Sequence, residues 1–127
     1  MGTSLNRKAR VLRAVHNAIG IAELGCLVYL WFCGITRRRD RWLVLAALVL
    51  VGEGTALLIA RECPFGPLQR RAGDDVAMFE LWFGPRIAPF AVPTFTVMSV
   101  TGMLLVLVRR PEAVPGASRS LQARTAL

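Results

Sequence analysis

The sequence has one histidine, one tyrosine and three cysteines (Cys26, Cys33 and Cys63), and no two of the cysteines form a CxxC pair. A lone histidine and scattered thiols do not make a metal-ligand set. The cysteines therefore read as small hydrophobes, and neither metal nor cofactor is expected. Acidic residues are few, eight against sixteen basic ones, and Lys8 is the single lysine beside fifteen arginines. A net charge of +8 would suit a nucleic-acid reader if the basic side chains shared one soluble face. They sit instead between long apolar runs, as the flanks of membrane segments do, so nucleic acid is not an expected partner. No nucleophile, base and orienting group stand together around Cys63 and His16, and the chain does not read as an enzyme.

What the sequence has is apolar length. Of 127 residues 54% are hydrophobic, with a mean hydropathy of +0.49, too apolar for an ordinary soluble chain and enough for one membrane domain. The run Trp42–Ala60 has Glu53 as its only ionisable residue. As a helix it is about 28 Å long, close to the hydrocarbon thickness of a bilayer. Its Leu, Val and Ile residues favour insertion by about 3–6 kcal/mol, of which a central acid cancels about 2.5–3.5. Glu53 is therefore tolerable but needs a structural or functional reason.

A second apolar stretch, Val15–Thr36, follows Arg7, Lys8, Arg10 and Arg13. It is too long for a signal-peptide core and no small-residue cleavage site precedes Arg37, so a retained first span is expected. His16, Gly20, Glu23, Leu27, Leu30 and Gly34 recur at spacings of 4, 3, 4, 3 and 4 and share one helical face. A face with two polar groups and two glycines should meet protein rather than lipid, although His16, near the span end, also suits an interfacial position. The short link Arg37-Arg38-Arg39-Asp40-Arg41 forces an antiparallel hairpin. Counted from it, Glu23 and Glu53 differ in depth by only about 3 Å. They could share a proton or line the polar end of a cavity; alternatively each bonds to a neighbouring group. Gly52, Ala56 and Ala60, with Gly54, form a small-residue stripe suited to close helix packing.

Arg61–Asp75 is the one sizeable internal polar stretch. Pro64, Gly66 and Pro67 should break any continuation of the second helix. Asp74 or Asp75 is placed to cap a short helix over Val76–Gly84, whose Phe79, Trp82 and Phe83 suit the interfacial aromatic belt. Pro85, Pro89 and Pro93 recur every four residues at the start of a third span, Ile87–Val108. They predict either a broken segment lining a site, with Thr94, Thr96, Ser99 and Thr101 satisfying freed carbonyls, or a kinked helix packed on a neighbour. Cys63, Phe79, Trp82 and the three prolines are candidates for contact with a partner or for lining a path. From Pro111 the tail is rich in Ser, Ala, Gly and Pro and should be disordered.

The expected architecture is thus an all-α integral membrane protein, residues 1–110, with three spans and a short interfacial helix before the third. Lys and Arg balance at eight on each side of the membrane. The Arg turn places four arginines beside two span ends at once, which favours a cytoplasmic turn and tail in the plasma membrane; Arg37, Arg38, Arg39 and Arg41 would then meet anionic lipids. Cys63-Pro64, with Leu68 and Arg70-Arg71 beyond and His16 early in the first span, resembles a family of small uncharacterised bacterial membrane proteins that have a Cys-Pro-Leu motif after the second span. Phe65 stands where that family has Leu, and Gly66 where it has Thr. The resemblance implies three or four spans and assigns no activity. Size, small-residue stripes and buried acids suit an accessory subunit of a larger transport, respiratory or envelope-assembly complex. The alternative is a self-contained oligomeric transporter or binding unit that handles protons or cations at Glu23 and Glu53.

Overall fold

The computed structural model describes residues 6–60 and 63–111; the tail expected to be disordered lies outside them from residue 112 on. Every regular element among the described residues is a helix: α1 (Arg7–Thr36), α2 (Arg41–Ala60), α3 (Phe65–Arg71), α4 (Met78–Phe83) and α5 (Ala88–Val108). α1, α2 and α5 are long and apolar enough to cross a membrane, as the sequence predicts. Only 11% of the apolar window of α2 is buried inside the molecule. Residues such as Val44, Leu48, Leu58 and Ile59 point outward, a surface that lipid rather than water accommodates.

α1 is the hub and packs against each of the other four helices. Its inner stripe is the one predicted: His16, Gly20, Leu27, Leu30 and Gly34 are buried and Glu23 is half-buried. In the half nearer the Arg turn the interior is apolar, built on Leu30, Cys33, Leu43 and Val106. Two glycines set the α1–α5 approach. A Cβ on Gly34 would stand 3.0 Å from Leu105 Cδ2, and one on Gly102 would stand 3.0 Å from Leu30 Cδ2 and 3.1 Å from Trp31 Nε1. Trp31 Nε1 also donates to the Met98 carbonyl at 3.1 Å, tying the same two helices.

The turn between α1 and α2 is a capping device. Arg37 ends α1 in the left-handed region at φ 55°. Asp40 accepts the Leu43 N–H at 3.0 Å, an N-cap bond for α2, and also the Tyr29 hydroxyl at 2.6 Å and Arg38 Nε at 3.1 Å. The Tyr29 hydrogen bond, helped by the Leu43 amide, holds the Asp40 carboxyl below the usual carboxylate range.

Three expectations need correction. The Cys-Pro stretch is not all loop, because α3 forms within it. The fourth helix starts at Met78 behind Ala77, with no side-chain cap, so neither Asp74 nor Asp75 caps it. The prolines do not break the third span: α5 is continuous, Pro89 lies in its first turn and Pro93 alone is interior. Pro85, Pro89 and Pro93 are all exposed, so they do not face protein within the chain. Thr96 donates to its own Val92 carbonyl at 2.9 Å rather than to a carbonyl freed by proline.

Candidate functional site

Polar side chains collect on the α1 stripe in the half away from the Arg turn, in two tiers. In the outer tier Arg13 joins Asp74 through two hydrogen bonds, Nε to Oδ2 at 2.6 Å and Nη2 to Oδ1. Asp74 is 2% exposed and Gln69 3%. A carboxylate has no hydrogen to offer, so Gln69 turns its amide nitrogen toward Asp74, at 2.8 Å from Oδ2. That leaves Gln69 Oε1 facing His16 Nδ1 at 2.9 Å. The proton of neutral His16 is therefore on Nδ1, and it donates to Gln69. Phe65 covers the imidazole, ring centroids 5.9 Å apart at 29°. The guanidinium bonds hold the Asp74 carboxyl below its usual range, against the opposing effect of burial. This chain of contacts fastens α3 and the loop after it to α1. α4 closes over the stripe below: Gly20 is so near its side chains that a Cβ would stand 2.8 Å from Met78 Sδ. Phe79 stacks on Phe95 of α5, centroids 5.8 Å apart.

The inner tier is the carboxylate pair. Glu23 and Glu53 lie within hydrogen-bonding reach of one another, as hairpin counting predicts. Cys63 reaches the same point, its thiol within hydrogen-bonding reach of Glu53. Glu53 lies about 10 Å along α2 from Ala60, so the chain doubles back into the α1–α2 cleft before α3 begins. Burial, foremost, pushes the Cys63 thiol up, and the nearby Glu53 and Glu23 add to the effect against a lowering bond from the Phe65 amide. A thiol so held stays protonated at neutral pH and is a slow nucleophile. No group of three or more His, Cys, Asp and Glu side chains among the described residues has metal-site geometry.

His16, Glu23, Glu53, Cys63 and Gly20 thus come together on one face, with Trp82 over Gly20. The remaining packing candidates do not join them. A Cβ on Gly52 or Gly54 would meet nothing within 4 Å, and Ala60 is exposed. Ala56 is half-buried. In the Arg turn, Arg38 is held by Asp40, and Arg39 donates to the Val106 carbonyl and, at 2.9 Å, to that of Arg109. Sequence reasoning missed Arg13, Gln69 and Asp74. Arg13 had a signal, since extending the stripe backward by three residues from His16 reaches it; Gln69 and Asp74 had none. No protein family, curated protein or solved structure matches the chain, so the likeness to the Cys-Pro-Leu proteins rests on its short motifs.

Proposed function

We propose that this protein is a small accessory subunit that packs against, and stabilises, a larger transport, respiratory or envelope-assembly complex of the plasma membrane. One contrast between helical glycines carries the reading. Gly20, Gly34 and Gly102 are each needed for a close contact inside the chain, whereas Gly25, Gly52 and Gly54 have no atom within 4 Å of where a Cβ would stand. A glycine inside a helix costs about 0.5–1 kcal/mol relative to alanine. Three without an internal use suit surfaces against which foreign helices approach closely. Gly25 opens a hollow of about 530 Å³ lined by Ile21, Leu24, Val28, Tyr29 and Phe32. Gly52 and Gly54, with Ala56 and Ala60, open one side of α2. The four arginines of the turn support its placement, with the tail, on the cytoplasmic side.

Gentle detergent extraction followed by mass spectrometry of co-purifying chains tests this. Larger membrane subunits at fixed stoichiometry are expected. A clean homo-oligomer would favour a self-contained proton or cation unit instead, the reading supported by the Glu23–Glu53 contact. In that case Glu53→Gln should abolish flux in liposomes while leaving the oligomer intact.

A further inference from the structure

α1 is about 45 Å long, well beyond a 30 Å hydrocarbon layer, and the excess lies at its N-terminal end. On α2 the apolar run stops at Ala60, seven residues from Glu53; the matching position on α1, seven residues from Glu23, is His16. Arg10 and Lys8 stand about 9–12 Å beyond that level. Long basic side chains bend back toward the apolar boundary, which brings their charged heads into the headgroup layer. The outward stripe of α1 runs to the same place. Val15, Ala18, Ala22 and Gly25 are exposed along it, Val11 continues it, and Arg7 and Lys8 end it one turn further on. Arg7, Lys8, Val11 and Leu12 line a hollow of about 400 Å³ there.

The charges at this end are available. No acidic residue lies in the first turn of α1, and Asp74, the carboxylate packed against this part of the helix, is taken by Arg13. At the opposite membrane face the arginines are used within the chain. Arg38 pairs with Asp40, Arg39 closes the end of α5, Arg109 donates to the Ile35 carbonyl at 3.2 Å, and the Arg41 guanidinium lies 5.7 Å from the Trp42 ring centroid.

We infer that the N-terminal overhang of α1 is a binding site for an anionic phospholipid of the adjacent leaflet. Its phosphate sits between Arg7 and Lys8 beside Arg10, its glycerol against Val11 and Val15, and an acyl chain lies along Ala18–Gly25. Three cations within four residues attract a headgroup of net negative charge and repel the ammonium of a zwitterionic one. This moves the main lipid contact from the Arg turn, where the sequence places it, to the other leaflet. It does not depend on the accessory-subunit reading.

The test uses the full chain in phosphatidylcholine bilayers doped with a photoactivatable phosphatidylglycerol or, in parallel, the matching phosphatidylcholine probe, with labelled peptides mapped by mass spectrometry. The glycerol probe should label residues 7–15 in preference to the choline probe, on the order of tenfold, and more than it labels residues 37–44. Lys8→Gln should lower that preference and Arg7→Gln/Lys8→Gln/Arg10→Gln should remove it, whereas Arg37→Gln/Arg41→Gln leaves it in place. Equal labelling of residues 7–15 by the two probes in the unaltered protein, or a stronger preference at the turn, overturns the assignment.

Discussion

Replacing Asp74 with Ala removes one carboxylate that serves three groups: the Arg13 guanidinium, the Gln69 amide and, at 3.4 Å, the Val76 N–H. Removing one partner from a buried ion pair costs about 3–5 kcal/mol. Arg13 keeps 25% of its side-chain surface exposed and can recover some hydration, so about 2–4 kcal/mol is the reasoned figure. The loss should be local. α2 and α5 hold to α1 through the apolar half and the Arg turn, neither of which touches Asp74, so the three spans should persist while α3 and the loop after it loosen from α1. Cys63, two residues before α3 and packed behind it, reports that opening. With a water-soluble maleimide under conditions where closing outpaces reaction, labelling of Cys63 in Asp74→Ala should rise roughly thirtyfold to several hundredfold. Cys26→Ala and Cys33→Ala are included so that only Cys63 reacts. Asp74→Asn still accepts from Gln69 but cannot neutralise Arg13, and should fall between. Labelling of Asp74→Ala at the unaltered rate would refute the clamp.

The same pair sets a pH dependence. Because Arg13 lowers the Asp74 carboxyl in the folded chain, its stabilisation is complete above the ordinary carboxylate range of about 4 and fades as pH falls through the lower folded-state value. The stability gap between wild type and Asp74→Ala, read by hydrogen exchange over residues 65–83, should be flat from about pH 7 to 5 and close only in stronger acid. For Cys63, whose thiol burial pushes up, alkylation should be slow at neutral pH and quicken only above the ordinary cysteine value of about 8.5; a rate already maximal at pH 7 would contradict its protonated state. Gly102→Leu drives carbon into Leu30 and the rigid Trp31 indole and should cost about 1–3 kcal/mol in denaturation by mixed micelles.

The sequence makes the spans legible because each is a long run with few charges, and lipid imposes that length directly. The inner face of α1 is legible because a helix repeats polar and small residues every three or four positions, and a hairpin turn of fixed length equates the depths of Glu23 and Glu53. The failures have a common cause in proline and aspartate. Pro64 and Pro67 read as breakers, yet they occupy the N-cap and first turn of α3, where backbone amides have no helical partner to lose. Pro89 sits in the first turn of α5 for the same reason. Asp74 precedes an apolar run and so resembles a cap, but its partner Arg13 is 61 residues away, and no local spacing announces a contact of that range. Arg39 and Arg109 likewise look like free membrane flanks until tertiary packing brings carbonyls to them.

The accessory-subunit reading is tested most directly by comparing Gly52→Leu with Gly102→Leu. For each, retention of co-purifying membrane subunits and the stability of the isolated chain are measured together. A leucine at Gly52 meets nothing in the chain and improves helix propensity by about 1 kcal/mol, so the isolated chain should be as stable as before while the larger subunits are lost. Gly102→Leu should destabilise the chain itself. Full retention of partners by Gly52→Leu, and by the matching Gly54→Leu, would contradict an interface on α2 and with it the central claim.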